Sequence, residues 1–207
     1  MTNSADSADA SRLDLDRLPR WAPPVVFAIL TLGLFAKYIL AGPGQMLVGQ
    51  DTIAAGIMFR SFFVEQYHEL GRLPLWNPYM FGGVPTIEAG SGDILYPTSV
   101  LHFLLPLTAA LAWKLIVHVY LAGVFMYLAA RAFGVRRYVA LFAGSAYLLS
   151  ANLVSLVYGG QDGKMYVMAL FPAGLWLLKT ALDTRSLLRF TWLGAVLGLM
   201  LVAHPQL

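Results

Sequence analysis

From residue 22 onward, long apolar stretches alternate with shorter polar segments. A helix needs about 20 mostly apolar residues to cross a bilayer. Five stretches reach or approach that length; the first contains a single charge, Lys37, and the third contains none. The pattern therefore predicts five transmembrane helices, at about residues 22–41, 107–130, 138–157, 165–182 and 190–207.

The segment between the first two predicted helices, residues 42–106, is long and rich in aromatic side chains. Apolar residues recur at three- and four-residue spacing after Thr52, which predicts a helix capped by Thr52 and ended by Gly71. Its apolar stripe predicts that this helix lies along the membrane interface. A short apolar stretch at 98–105, framed by prolines, predicts a half-helix. The predicted fold is an all-α integral membrane protein with a long first loop that carries an interfacial helix.

The composition agrees with a membrane protein. Hydrophobic residues make up 58% of the chain, charged residues make up 12%, and the mean hydropathy is +0.67. Soluble domains carry about 25% charged residues. The chain has no cysteine, which excludes disulfides and thiolate metal sites. We expect membrane lipids as partners and no nucleic acid.

The basic residues predict the orientation, because cytoplasmic loops of membrane proteins are enriched in lysine and arginine. Residues 1–20 would form a polar cytoplasmic tail and residues 21–207 the transmembrane domain. The first loop, 42–106, the turn 159–164 and His204 would then lie on the extracytoplasmic side, where we expect any active site. The nine cations assigned to the cytoplasm are Arg12, Arg17, Arg20, Arg131, Arg136, Arg137, Lys179, Arg185 and Arg189.

The first loop also carries motifs of a known family. Asp51 follows the first predicted helix by about ten residues, and the run GRLPLWNPY occupies 71–79. FGGVP follows at 81–85, and Tyr-Pro at 96–97. Over about 43–106 these features resemble the bacterial YfhO-type membrane proteins, which are grouped with the GT-C glycosyltransferases. The resemblance implies a multi-pass protein of the bacterial inner membrane that uses polyprenyl-phosphate sugars on the extracytoplasmic side.

The resemblance implies a catalytic role for Asp51, because an acidic residue in the first outer loop is the usual catalytic candidate of GT-C enzymes. Asp51 would act as general base on an acceptor hydroxyl or as a ligand of a divalent metal. Gln50 and Thr52 flank it, so the expected pair of adjacent acids is missing, which favours the base role. Capping of the following helix is the alternative for Asp51. Asp162, on the same predicted side, is the second catalytic candidate.

A polyprenyl-phosphate sugar donor would need cations near the membrane surface. Lys114 lies inside the second predicted helix, where a charge is costly, and His118 follows four residues later on the same face. Binding of the donor phosphate and an internal polar contact between helices are both open for this pair. The sequence assigns no cofactor and no metal site.

Four further residues are candidates for substrate binding. Lys164 would meet the donor phosphate, although its turn can be a simple connection. His204 is a further candidate, with a capped helix end as the alternative. Trp76 and Tyr79 suit either sugar stacking or the aromatic belt of the membrane interface.

YfhO-type proteins are several times longer than this chain of 207 residues. The leading prediction is therefore a GT-C-like glycosyltransferase, or its amino-terminal portion, moving a sugar from a polyprenyl-phosphate carrier to an extracytoplasmic acceptor. A non-catalytic structural subunit of a larger membrane complex is the second hypothesis. A transporter of a lipid-linked substrate is the third, with Lys114 and His118 in its path.

Overall fold

The computed structural model describes residues 19–41, 47, 49–86 and 93–204. This part of the chain is mostly helical, as the apolar pattern predicted. Within it, three stretches are long and apolar enough to cross a membrane: Leu107–Ala132, Arg137–Gly159 and Asp162–Thr184. The predicted tail lies outside the described residues, apart from residues 19 and 20.

The helices, numbered in chain order, are α1 (Ala22–Leu34), α2 (Ala36–Leu40), α3 (Ile57–Leu70), α4 (Leu101–Leu104), α5 (Leu107–Ala132), α6 (Arg137–Leu148), α7 (Ala151–Gly159), α8 (Asp162–Thr184) and α9 (Leu187–Ala203). A π-helix (Thr52–Gly56) leads into α3, and a 3-10 helix (Pro97–Val100) leads into α4. Strands β1 (Trp76–Asn77) and β2 (Val84–Pro85) form an antiparallel hairpin between α3 and α4.

Two of the five predicted membrane helices are interrupted. The first divides into α1 and α2 at Phe35. The third divides into α6 and α7, because Ser150 adopts an extended conformation and its hydroxyl accepts a hydrogen bond from the Leu153 N–H at 3.4 Å. Helix α1, with 13 residues, is shorter than a full crossing, and α9, with 17, is at the lower limit. Five membrane crossings therefore stay a prediction.

The predicted helix of the first loop is present, but it begins differently. The prediction that Thr52 caps it is wrong: the chain is already helical at Asp51, and Thr52 is the first residue of the π-helix. The Thr52 hydroxyl instead reaches the start of α8, 3.2 Å from the Gly160 carbonyl oxygen. The predicted end is confirmed, because Gly71 adopts the left-handed conformation with φ of 63°.

Helix α5 is central and packs against α8, α6 and α1, while α9 packs against α8. Gly123 of α5 and Gly144 of α6 allow a close approach: a Cβ on Gly144 would lie 2.7 Å from the Gly123 carbonyl oxygen. The same Cβ would lie 2.6 Å from the ring of Phe27, which is fully buried between these helices. Small residues commonly permit such contacts between membrane helices.

A proline inside α8 creates an unpaired backbone carbonyl. Because Pro172 has no N–H, the carbonyl of Met168, four residues earlier, loses its partner within the helix. The hydroxyl of Tyr147 in α6 donates a hydrogen bond to this carbonyl at 2.7 Å. The bond satisfies a polar group that an apolar environment would leave without water, and it ties α8 to α6.

Candidate functional site at the loop end of the bundle

Segments far apart in the sequence meet at one end of the bundle, which we call the loop end. They are residues 49–60 and 93–102 of the first loop, 114–118 of α5, 159–166 around the start of α8, and 203–204 at the end of α9. The loop end has a buried part that holds charged side chains and an exposed part that carries Asp51.

The centre of the buried part is Asp93, whose carboxylate binds two cations. Arg60 of α3 donates through Nε to Oδ1 at 3.2 Å and through Nη2 to Oδ2 at 2.9 Å, the two-pronged geometry that matches a guanidinium to a carboxylate. Lys114 of α5 donates through Nζ to Oδ2 at 2.6 Å. Asp93 is 2% exposed and Lys114 is 0% exposed. The three residues fasten the first loop to the central helix.

Asp162 joins these residues from the start of α8. Its Oδ2 lies 3.2 Å from Arg60 Nη2, and the Thr52 hydroxyl lies 3.4 Å from both of its carboxylate oxygens. A buried charge without a partner destabilises a protein by several kcal/mol, so close pairing of opposite charges is needed here. Two cations and two carboxylates sum to zero charge. We call this group the charge cluster: Arg60, Asp93, Lys114 and Asp162.

The pairing keeps Asp93 and Arg60, the two members of the cluster that come from the first loop, ionised. Burial alone would raise the pKa of Asp93, but the charges and hydrogen bonds of Arg60 and Lys114 lower it from 3.8 to about 2. Burial alone would lower the pKa of Arg60, but the carboxylates of Asp93 and Asp162 raise it above its ordinary value. Asp93 and Arg60 are therefore both charged at neutral pH.

A layer of aromatic rings lies against the charge cluster. Tyr166 is fully buried and stacks on His118, with ring centroids 4.1 Å apart, and on Tyr96, at 5.2 Å. His118 Nδ1 donates to the Lys114 carbonyl at 2.7 Å, so its Nε2 is the acceptor for the Tyr96 hydroxyl at 2.9 Å. Both nitrogens of His118 are thus engaged inside the protein.

Asp51 lies beside the charge cluster but faces outward. Its side chain is exposed and makes no capping hydrogen bond, so the structure does not support capping as its role. Its backbone is held by glycine contacts: a Cβ on Gly160 would lie 2.9 Å from the Asp51 nitrogen, and a Cβ on Gly49 would lie 2.0 Å from the Gly160 nitrogen. Backbone packing fixes the position of Asp51 and leaves its carboxylate accessible. The π-helix directly after it is a feature that often marks functional sites.

Lys164, in the first turn of α8, lies near His204, which follows the end of α9. A Cβ on Gly163 would lie 2.4 Å from the Ala203 carbonyl oxygen and 3.4 Å from His204 Cβ, so this turn packs against the end of α9. Lys164 is exposed and His204 is partly exposed. We call Asp51, Lys164 and His204 the outer group, because all three are at least partly accessible and their segments meet at residues 160–163.

Trp76 and Tyr79 lie on the β-hairpin of the first loop. Trp76 packs against Gly83, where a Cβ would lie 2.6 Å from the indole ring. Tyr79 is 81% exposed and meets Phe62 of α3 edge to face at 5.9 Å. Within the described residues, no hydrogen bond or ion pair joins either ring to the charge cluster or the outer group. Sugar stacking and an aromatic belt both stay predictions for this pair.

The structure separates the predicted site residues into three sets: the outer group, the two rings of the hairpin, and a buried set. The buried set, Lys114, His118 and Asp162, makes internal contacts, which is the second of the two roles that the sequence left open for Lys114 and His118. Sequence analysis did not single out Arg60 or Asp93, which complete the cluster. A signal was present, because a lysine inside an apolar helix needs a buried carboxylate partner, and the first loop is rich in carboxylates.

Among residues 19–41, 47, 49–86 and 93–204, no group of three or more histidine, aspartate or glutamate side chains is arranged to hold a metal ion. Comparison of the chain with protein-family models, with curated proteins and with solved structures found no match. The resemblance to YfhO-type proteins therefore stays a prediction carried by the motifs of the first loop.

Proposed function

We propose that the chain is a multi-pass protein of the bacterial inner membrane, with five crossings, its amino terminus in the cytoplasm and its loop end on the extracytoplasmic side. Three stretches of helix that are long and apolar enough to cross a bilayer support a membrane location. The concentration of arginine and lysine at the opposite end of the helices supports the orientation. In this arrangement the outer group faces the compartment where lipid-linked sugars are used.

We further propose that the protein is a GT-C-like glycosyltransferase, or its amino-terminal portion, which transfers a sugar from a polyprenyl-phosphate carrier to an extracytoplasmic acceptor. One observation carries this proposal: Asp51 is exposed, its backbone is fixed by the Gly49–Gly160 contact, Lys164 follows the same turn, and His204 packs against it. An accessible carboxylate in a fixed position, with a cation nearby, is what base-assisted transfer from a phosphate leaving group requires.

The proposed step assigns Asp51 as the base. The Asp51 carboxylate takes the proton of an acceptor hydroxyl as that oxygen forms its bond to the anomeric carbon of the donor sugar. The bond between the anomeric carbon and the phosphate oxygen breaks, and its electron pair stays on the phosphate. Lys164 and His204 stabilise the phosphate that leaves. Asp162, paired with Arg60, acts as a positioning residue that holds the turn.

A non-catalytic subunit of a larger membrane complex is the second candidate. The charge cluster favours it, because its side chains are buried and paired with each other and hold segments of the chain together. A transporter has less support, because Lys114 and His118 are buried and engaged instead of lining an open path.

Asp51→Asn tests the catalytic proposal. Transfer of radiolabelled sugar from polyprenyl-phosphate donors would be measured in membrane vesicles, where loss of a general base lowers the rate by about 10²–10⁴-fold. The variant should fold normally, since Asp51 is exposed and the packing is through its backbone. Asp183→Asn, also an exposed carboxylate but at the far end of α8, is the matched control.

Unchanged transfer by Asp51→Asn would remove the assigned base. If the native protein transfers no sugar and is purified in a stable complex with other membrane proteins, the subunit hypothesis takes its place.

A further inference from the structure

A cavity of about 360 Å³ opens between α3 and α4. Its polar lining comes from Ser61, Glu65 and His68 of α3 and from His102 of α4. Its apolar wall is formed by Val64 and residues 103–107. The volume is near the lower limit for small-molecule pockets, which begin at about 300 Å³, so it suits a ligand the size of one ring.

The cavity is separate from the outer group. Glu65 follows Asp51 by fourteen residues in a nearly continuous helix, which places the two about 20 Å apart at 1.5 Å per residue. A ligand the size of one ring cannot touch both. The cavity is therefore a second candidate site, and its occupation does not depend on the chemistry proposed for Asp51.

His102 gives the cavity an uncharged hydrogen-bonding group. It is 4% exposed, and its Nε2 lies 3.5 Å from Lys114 Nζ of the charge cluster. Burial, reinforced by the charge of Lys114, lowers the pKa of His102 to about 3, so the ring is neutral at neutral pH. With Nε2 facing a lysine donor, the proton of the neutral ring is on Nδ1.

The lining selects among ligand classes. An anion would meet the Glu65 carboxylate without a lysine or arginine among the lining residues. A wholly apolar ligand would remove water from Glu65 and His68 and give them no hydrogen bond in return. A sugar ring offers hydroxyls that donate to a carboxylate and accept from an imidazole, and its C–H faces can pack against an apolar wall.

We propose that this cavity binds the ring of an uncharged sugar, with its hydroxyls on Glu65, His68 and His102 and its apolar face on residues 103–107. The ring has two sources: a free sugar and the headgroup of a glycolipid. The apolar wall runs into the first residue of α5, a helix long and apolar enough to cross a membrane, so a lipid chain could continue from the ring along it.

The test uses the whole chain in phosphatidylcholine nanodiscs, after purification in a detergent without sugar. Nanodiscs with and without monoglucosyl diacylglycerol are compared, and bound glycolipid is counted by native mass spectrometry. Free methyl glucoside is added as competitor. Glu65→Ala and His68→Ala remove exposed lining groups, so both variants should fold. Glu69→Ala, on the same helix but outside the lining, is the matched control.

We expect saturable binding of the glycolipid, weakened at least tenfold by Glu65→Ala and His68→Ala and unchanged by Glu69→Ala. If methyl glucoside displaces the glycolipid, the proposal is supported and the sugar ring alone is sufficient for binding. Binding of the glycolipid without such competition supports it with the glycolipid as the source. Equal binding by the lining variants and the native protein overturns the proposal, as does equal loss in the control, or no binding of either sugar.

Discussion

The charge cluster and the outer group lie side by side at the loop end, yet their side chains differ in burial and in pairing. In the charge cluster, four ionisable side chains are almost fully buried and each one is paired. In the outer group, Asp51 and Lys164 are exposed, and the backbone rather than the side chain holds Asp51 in place. The difference teaches that the buried charges hold segments of the chain together, whereas the exposed ones stay accessible from outside.

The largest effect should come from removing the central carboxylate of the cluster. Asp93→Asn leaves Arg60 and Lys114 buried with only Asp162 as counter-charge. We expect the free energy of unfolding to fall by about 3–5 kcal/mol, the usual result of breaking a buried ion pair. Reversible unfolding in mixed micelles measures it, and Asp51→Asn serves as the control, with a change within about 0.5 kcal/mol. A loss below about 1 kcal/mol in Asp93→Asn would mean that the buried charges do not hold the scaffold.

The next effect concerns the contact that positions Asp51. Gly160→Ala places a Cβ 2.7 Å from the Thr52 nitrogen at a φ of 76°. Gly134→Ala is the matched control, because Gly134 has a φ of 81° and nothing within 4 Å of an added Cβ. We expect Gly160→Ala to cost about 1–3 kcal/mol of unfolding free energy beyond Gly134→Ala, the usual penalty for overpacking. Equal losses in the two variants would show that this contact does not fix Asp51.

The third effect is a dependence on pH. The folded pKa of Asp93, about 2, is lower than the ordinary 3.8 of the unfolded chain. Its stabilisation is therefore complete above pH 4 and is lost as the pH falls through 2, by about 2 kcal/mol in all. Unfolding measured from pH 5 to pH 2 should bring the stabilities of the native protein and Asp93→Asn closer together by that amount, since other carboxylates titrate in both. A constant difference would contradict the assignment of Asp93 as the charged centre.

The smallest effect should come from an ion pair outside the loop end. Lys179 and Asp183 form an exposed pair one turn apart on α8, with Nζ and Oδ1 at 2.5 Å. Asp183→Asn should change the free energy of unfolding by less than about 0.5 kcal/mol, because water screens an exposed pair. If this loss equalled that of Asp93→Asn, burial would not determine how much a charged pair contributes to the free energy of unfolding.

Much of the fold could be predicted because apolar length is a local signal. The apolar runs marked α5, α6 with α7, and α8, and Gly71 marked the end of α3. The interruptions at Phe35 and Ser150 were missed, because both lie inside apolar runs and their effect depends on backbone conformation. The start of the helix near Thr52 was wrong for a related reason. A capping signature is local, whereas the Thr52 hydroxyl is directed to Gly160 and Asp162, more than one hundred residues away.

The candidate site was predictable only in part. The predicted succession of helices placed Asp162 at the same end as the first loop, and the structure brings it to Arg60. The choice of Asp93 as the partner of Lys114 could not be read from the chain, because the loop contains several carboxylates and their spacing does not specify a partner in another helix. Lys114 and His118 were candidates for phosphate binding on the basis of residue type alone. Their burial, which depends on packing by Tyr96 and Tyr166, is a property of the assembled bundle.

The order of residues in the charge cluster has a consequence for biosynthesis. Arg60, Asp93 and Lys114 leave the ribosome first, and together they carry one excess positive charge. Asp162 follows on α8 and supplies the missing negative charge. The charge cluster is thus balanced only after the start of α8 has packed against α3 and α5, which makes α8 the helix that completes it.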